Sequence, residues 1–205
     1  MVVKTFSIKN PGAISAMGDR LVYVTSESSR VLALDSTTGK TRVAVDELTN
    51  TDGLAVDREG NLCLSFGFPK PGLKVYSPDG KLLHSMGKAR SGVSGPWDMD
   101  TLAHSTEIAV DGNGLIWVAE ALHPRRVSVW DPKLEKCVRE YFGPTHYGAS
   151  GAVINPRDPD LVIAEGCEFR INPRTGRATM LGIVAIPEIP QAARFCDGPE
   201  GREYL

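Results

Sequence analysis

The sequence predicts an all-β fold, a β-propeller, because one pattern of short apolar runs and turns recurs along the chain. Within each cycle, apolar and polar residues alternate with the period of two that is expected of strands. Equivalent positions recur at spacings of 41, 54, 45 and 43 residues, at Leu21, Leu62, Ile116, Leu161 and Tyr204. A period of about 40 residues with this alternation is typical of propeller blades.

Each cycle is predicted to form one blade of four antiparallel strands. In the second cycle, the runs rich in Val, Leu, Tyr and Phe are Leu54–Val56, Leu62–Phe66, Leu73–Tyr76 and Lys81–Met86. Turn-forming fragments separate the runs, such as DREGN after the first and SPDGK after the third. Asp, Asn, Pro and Gly are the residues that close such turns. One blade cannot bury both of its faces, so neighbouring blades must stack.

We predict one propeller domain, or a segment of one, over residues 1–205. The blades are expected at residues 12–45, 53–87, 107–142 and 151–182. Residues 1–8 and 193–205 are expected to be parts of a flanking or shared blade, since they have the pattern of an outer strand and an inner hairpin. The open edges that this leaves near Gly12 and Tyr204 predict self-association.

Composition excludes some classes of partner. The formal net charge of −2 provides no basic field for nucleic acid. No apolar run approaches the length of about 18 residues that spans a bilayer, and the opening MVVKTFSIKN lacks the apolar region of a signal peptide. We therefore expect no nucleic acid, no membrane partner and, for the chain as it stands, a cytoplasmic location. The four cysteines lack C-x-x-C spacing, so we expect reduced thiols, with Cys63 in the core.

Two stretches resemble NHL repeats and the related propellers of the regucalcin and gluconolactonase group. They are GLAVDREGNL with LKVYSPDGKLLHSMG, and IAVDGNGLIWVAE with RVSVWDPKLEKCVREYFG. The resemblance implies a six-bladed ring, of which these blades would be a four-blade fragment. It also implies one divalent cation, held by an acidic residue, two asparagines and a glutamate. The fragment NTDGLAVD places Asp52 at the carboxylate position, whereas Pro11, Thr106 and Ser150 stand at the equivalent positions of the other blades.

The predicted mouth of the propeller collects polar side chains from several loops. Loops before a blade's first strand and between its second and third strands open on the same face, and the long connection 88–106 is expected to lie there too. The candidate site residues are Asp52, Trp97, Asp98, Asp100, His104, His123, His146 and Tyr147.

Two kinds of divalent cation fit this set. Calcium would bind the Asp52 carboxylate and further oxygen ligands. Zinc would suit His104, His123 and His146 together with Asp52, because imidazole nitrogens are common zinc ligands. Peptidyl-hydroxyglycine amidating lyases are similar in placing histidines from several blades around zinc. The alternative is three solvated loop histidines and no cofactor.

The fragment GPWDMD indicates ligand binding of another kind. The Trp97 ring, with Asp98 and Asp100 beside it, could hold a sugar ring or a cationic ligand. Asp52 and Tyr147 would then supply hydrogen bonds in the mouth. The alternative is that Trp97 pins the long connection to the blade below and that Tyr147 belongs to an ordinary inter-blade connection.

The fragment ALHPRRVSVW puts Arg125 and Arg126 at the tip of a hairpin. Paired guanidinium groups can bind a carboxylate or a phosphate, each through two hydrogen bonds. We expect instead that both arginines form a solvated edge, because charged side chains are mostly exposed.

These features favour a non-catalytic scaffold that binds a small molecule, a glycan or a protein on the propeller face. The fingerprints of hydrolases, metalloproteases, P-loops and dinucleotide-binding domains do not occur in the sequence. The alternative is a metal-dependent, lactonase-like hydrolase or lyase that acts on a small molecule in the mouth, with Asp52 as the matched ligand. The fold alone cannot decide, because propellers carry many unrelated activities.

Overall fold

All regular structure in the described part of the protein is β-strand, which confirms the predicted all-β class. The computed structural model describes residues 4–18, 20–90, 95–120, 125–142, 152–155, 157–164, 167–183, 196–197 and 203–204. Over these residues, no helix has the length and apolar character that crossing a bilayer requires. The strands form four-stranded antiparallel sheets, the blades of a β-propeller, and one sheet gains a fifth strand.

The first blade has its four strands in chain order. They are β1 (Pro11–Met17), β2 (Leu21–Ser26), β3 (Arg30–Asp35) and β4 (Thr41–Val45). In the last turn, the Asp35 carboxylate accepts hydrogen bonds from the N–H groups of Thr37 and Thr38. This bonding of a side chain to the backbone is why Asp favours such turns.

The second blade repeats the same order. Its strands are β5 (Thr51–Val56), β6 (Leu62–Phe66), β7 (Gly72–Tyr76) and β8 (Leu82–Met86). The first turn is closed by Asp57, whose Oδ1 accepts the N–H groups of Glu59 and Asn61. The last turn passes through Gly80 at φ 86°, a left-handed conformation that glycine adopts without a steric penalty.

A connection with three short strands leads to the third blade. These strands are β9 (Lys88–Ala89), β10 (Gly95–Pro96) and β11 (Thr101–Leu102), and β9 pairs with β11 in parallel. The third blade is again four antiparallel strands in chain order. They are β12 (Ser105–Val110), β13 (Ile116–Glu120), β14 (Arg126–Asp131) and β15 (Lys136–Phe142).

The fourth blade carries the fifth strand. Its own strands are β16 (Ala152–Asn155), β17 (Asp158–Ala164), β18 (Cys167–Ile171) and β19 (Ala178–Ile183). Strand β10 pairs with β19, so the sheet runs in the order β10, β19, β18, β17, β16. A short hairpin of β20 (Cys196–Asp197) and β21 (Glu203–Tyr204) follows in the chain.

The chain divides into two compact units. The first contains the first three blades, and the second contains the fourth blade with β10 and the last hairpin. Within the first unit, β5 contacts both β1 and β12, so the first strands of the three blades lie side by side. Gly53 lies at one of these contacts, where a Cβ would come within 3.3 Å of the backbone nitrogen of Ile108.

The apolar core of the first unit lies where the first and second blades face each other. It includes fully buried side chains from both sheets, among them Tyr23, Val31, Leu62 and Leu64. Burying each such side chain contributes about 1.5–3 kcal/mol. Because alternate residues of a strand point to opposite faces, this core uses one face of each sheet and fixes how the two blades stack.

Candidate functional site

Asp52 occupies a β-bulge in the first strand of the second blade. Thr51 pairs with Phe66 and Gly53 pairs with Ser65, so Asp52 is an extra residue on its strand. The sequence indicated that Asp52 would precede this strand, but the bulge absorbs one residue and lets the pairing continue to Thr51. A bulge also re-aims the side chain that it carries.

The same irregularity recurs in the neighbouring blades. The register shifts between Pro11 and Ile14 in β1, and between Ser105 and Glu107 in β12. All three shifts occur near the start of a blade's first strand. Three adjacent first strands therefore begin with the same backbone feature.

The Asp52 carboxylate is partly withdrawn from water. Its Oδ2 is buried and has no hydrogen-bond partner among the described residues. It lies against Gly67, where any Cβ would collide with it. Burial raises the pKa of the Asp52 carboxyl above its ordinary value, and the charge of His104 acts in the opposite direction. The missing side chain at Gly67 is what leaves room for this carboxylate.

Two further oxygen atoms at the same end of β5 and β6 are buried without a hydrogen-bond partner in the described part of the chain. They are Oγ1 of Thr51 and Oγ of Ser65, and the Ser65 residue is 0% exposed. A Cβ on Gly53 would lie 2.7 Å from the Ser65 hydroxyl. Buried polar groups usually have partners, and each that lacks one costs about 1–3 kcal/mol.

His104 lies directly before β12 and faces Asp52. Its Nδ1 is 4.0 Å from Oδ2 of Asp52, which is longer than a hydrogen bond, and its side chain is 41% exposed. A hydroxyl or an amine placed between the two atoms could contact both. The arrangement thus offers one carboxylate and one imidazole to a ligand that carries hydrogen-bonding groups.

The connection that carries His104 is fixed by a buried carboxylate that sequence reasoning did not identify. Oε1 of Glu120 accepts hydrogen bonds from Nε of Arg126 at 2.6 Å and from Oγ of Ser128 at 2.8 Å. Oε2 accepts from Nη2 of Arg90 at 2.8 Å and from the N–H of Ala103 at 3.1 Å. Because Arg90 and Ala103 belong to the connection, Glu120 ties it to the third blade.

Arg126 corrects an expectation from the sequence. It is buried rather than part of a solvated edge, because it also donates hydrogen bonds to Glu140 and to the carbonyl oxygen of Thr101. Its neighbour Arg125 is exposed. The sequence does contain a signal for the buried pair of Glu120 and Arg126. Alternate residues of β13 are buried, and Glu120 follows Ile116 and Val118 in this series.

The two aspartates of the GPWDMD fragment lie in different surroundings. Asp98 is exposed, and Asp100 is half-buried. Oδ1 of Asp100 accepts the N–H of Cys137 at 2.8 Å, and its carbonyl oxygen accepts the N–H of Lys88 at 3.0 Å. Asp100 thus anchors the connection to β15, the last strand of the third blade.

Trp97 belongs to the second unit. It directly follows β10, and its N–H donates to the carbonyl oxygen of Leu181 at 2.8 Å. Trp97 is half-buried. Leu181 lies on β19, the last strand of the fourth blade. Trp97 therefore lies along the outer side of β19, and three strands separate it from β16. Its role in ligand binding stays a prediction.

The described residues do not assemble a metal centre. Among them, no group of three or more His, Cys, Asp or Glu side chains is placed to hold an ion. The predicted site residues His123, His146 and Tyr147 lie outside the described residues. Asp52 and His104 are the predicted ligands that this part of the chain brings together.

Comparisons with known proteins support the fold. No protein-family model matches the chain, and no curated protein matches its sequence. Hydrazine synthase from Kuenenia stuttgartiensis is similar in structure, with a TM-score of 0.54 and 15% identity over 90% of this chain and 52% of its own. A protein of unknown function from Bacteroides caccae matches 83% of this chain and 60% of its own, with a TM-score of 0.47 and 11% identity.

The chain therefore spans about half the length of the first structure that it matches. At 15% identity the likeness concerns architecture alone. Together with the four-stranded antiparallel sheets, it places the chain among the β-propellers.

Proposed function

We propose that the protein is a non-catalytic binding propeller built from NHL-like repeats. We propose further that it binds a hydroxyl- or amine-bearing small molecule or glycan at Asp52. The observation that carries the proposal is the buried Oδ2 of Asp52, which has no hydrogen-bond partner among the described residues. The energy of leaving an acceptor in this state is recovered when a ligand donates to it.

The relation of Asp52 to His104 fits the proposed binding site. Nucleophilic catalysis needs a base that a third group holds in place by a hydrogen bond. The distance of 4.0 Å between Nδ1 of His104 and Oδ2 of Asp52 leaves the imidazole without that restraint from the carboxylate. Both groups instead suit a ligand that bridges them.

A glycan array tests this proposal. Wild-type protein is expected to bind a subset of sugars, and Asp52→Ala is expected to lose that binding. The matched control is Glu59→Ala, since Glu59 is an exposed carboxylate in the turn beyond the other end of β5. A Trp97→Ala variant checks separately whether the Trp97 ring takes part. Sugar binding that survives Asp52→Ala would refute the role of this carboxylate.

A second candidate is a metal-dependent, lactonase-like hydrolase or lyase. It is favoured by the same buried carboxylate oxygen, which matches the acidic position of that group of propellers. Calcium or zinc would bind Asp52, together with ligands beyond the described pair. Metal analysis of purified protein and calorimetric titration with each ion separate the two candidates. A stoichiometric ion that is present in the wild type and absent from Asp52→Asn would favour the enzyme.

A further inference from the structure

A second concave site lies in the first unit, between the segment that joins the first two blades and the face of the second blade. It has a volume of about 400 Å³, and we name it the blade 1–2 crevice. Residues 46–50 form one half of its rim, and Gly67 with Pro69, Lys70 and Pro71 forms the other. The N–H of Gly67 donates to the carbonyl oxygen of Asn50 at 2.9 Å, and the Asn50 side chain donates to the carbonyl oxygen of Phe68 at 2.6 Å. These bonds hold the two halves of the rim together.

Lys74 enters this crevice from a largely apolar sheet face, on which Ser85 is its partner across the strands. In the register of the second blade it pairs with Leu64, which pairs with Leu54, and both leucines are buried. The Lys74 ammonium lies 5.1 Å from the centroid of the Phe66 ring. Within the described residues, no carboxylate lies within ion-pair distance of it. A partly buried cation in this position favours an anion that comes from outside the chain.

The lining of the crevice contains charges of both signs. The described lining contains two lysines, Lys70 and Lys74, and two carboxylates, Asp46 and Glu47. Asp46 lies 3.6 Å from Nε of Arg30, which is not part of the lining. With Arg30 counted, three cations stand against two carboxylates, so the crevice and its edge together carry an excess of one positive charge.

Part of the crevice wall is apolar. Leu48, Phe66, Leu73 and Met86 are buried and line the crevice. Tyr76 also lines it, and burial raises the pKa of the Tyr76 phenol, so its hydroxyl stays a hydrogen-bond donor. A ligand that fits these walls has an apolar body as well as a charged group.

We propose that the blade 1–2 crevice binds a small organic carboxylate whose anionic group contacts Lys74 and whose apolar body lies against Phe66. The volume falls within the range of about 300–1,000 Å³ that small-molecule sites occupy. This site is separate from the one proposed at Asp52, which is not part of the crevice lining and presents a negative charge.

The test is a titration of ¹⁵N-labelled protein followed by backbone amide shifts. The probes are benzoate, its neutral analogue benzamide and inorganic phosphate, each up to about 10 mM, which suits weak ligands. Benzoate is expected to bind saturably, with shifts at residues 46–50 and 67–76. Lys74→Met should weaken benzoate binding by about tenfold, the loss of one charge-assisted contact. Lys74→Arg should restore it.

The matched control is Lys81→Met, since Lys81 is an exposed lysine outside the crevice and should not affect binding. Equal binding of benzoate and benzamide would overturn the role of the charge. Phosphate binding as strong as benzoate binding would overturn the role of the apolar body. Unchanged benzoate affinity in Lys74→Met, or no saturable benzoate binding at all, would overturn the site.

Discussion

Nε of Arg126 donates to Oε1 of Glu120 across 2.6 Å, and neither side chain is exposed to water. The pair joins the ends of two neighbouring strands, β13 and β14, because Glu120 and Arg126 are direct partners in the register. The same carboxylate also accepts from Arg90 and Ala103 in the long connection. One buried carboxylate therefore joins a blade to the segment that precedes it.

We expect Glu120→Gln to destabilise the first unit by about 3–5 kcal/mol, because removing one member of a buried ion pair leaves the other charge uncompensated. Urea unfolding followed by tryptophan fluorescence measures the change. The control is Lys9→Ala, which breaks an exposed ion pair with Glu27 in the same unit and should change stability by less than about 1 kcal/mol. Equal effects of the two substitutions would contradict the buried network.

Asp52→Asn is expected to stabilise the protein at pH 7, raising the thermal midpoint by about 2 °C. Burial raises the pKa of Asp52, so the folded state holds its proton more strongly than the unfolded state. Stability then falls as the pH rises from the ordinary pKa through the raised one. The advantage of the variant should vanish below about pH 3.9, where both states are protonated. Thermal unfolding measured across this pH range checks the trend.

Asp111→Asn serves as a control, because its expected effect on stability at pH 7 has the opposite sign to that of Asp52→Asn. The hydrogen bond from Trp117, with others from the backbone, lowers the pKa of Asp111. Its contribution to stability is therefore present above the ordinary pKa and is lost as the pH falls through the lowered one. The variant should be less stable than the wild type at pH 7. A stabilising effect of both substitutions would show that charge removal alone explains the result.

Gly80→Ala should destabilise the first unit by about 3 kcal/mol. The residue has φ 86°, and a Cβ would overlap the carbonyl oxygen of Ala44 in the first blade. The left-handed backbone costs an alanine about 1–2 kcal/mol, and overpacking adds about 1–3 kcal/mol. Gly114→Ala measures the cost of the left-handed backbone without the overpacking, because Gly114 has φ 82° and open space around it. Equal losses in urea unfolding would refute the contact between the blades.

The buried thiols should resist alkylation in the folded protein. Burial raises the pKa of Cys63 to about 12 and that of Cys137 to about 11, and Cys167 is also buried. Because the thiolate is the reactive form, iodoacetamide at pH 8 should label each at least about 100-fold more slowly than in urea. Peptide mass spectrometry resolves the individual sites. Fast labelling of Cys63 in the folded protein would contradict its place in the core.

We expect self-association to involve the first blade, whose strand β1 contains Gly12 at one of the open edges predicted from the sequence. Ile14 is 68% exposed and Val43 is 47% exposed, and both lie on one sheet face in the same row as Val24 and Leu32. Light scattering should show a mass that rises with concentration in the wild type and that stays constant in Ile14→Thr with Val43→Thr. Leu134→Thr, at another exposed leucine, should behave like the wild type. A wild-type mass of one chain at every concentration would refute the expectation.

Local signals account for what the sequence could predict. The turns that contain Asp35, Asp57 and Gly80 depend only on residues close in the sequence. The blade pattern was therefore visible without a structure. Asp52 was selected through the family resemblance of its sequence fragment, and its role as a ligand stays a prediction. The bulge was not visible in the sequence, since it depends on how β5 aligns with β6.

Non-local pairing accounts for what the sequence could not predict. Trp97 contacts Leu181 because β10 joins a strand far away in the chain. Arg126 was expected in water because charges generally are, and only its register with Glu120 reveals a buried partner. The alternation along β13 does carry a signal, because it places Glu120 on the same side as the buried Ile116 and Val118.

The extra residue at the start of β1, β5 and β12 has a consequence for how such a chain can evolve. The extra residue has no partner across the strands, so ladder pairing does not fix its side chain. Under the proposed binding at Asp52, a single codon change at this position would alter what the protein recognises while the flanking strand pairs stay in register. Specificity would then diverge one blade at a time, from a scaffold that stays constant.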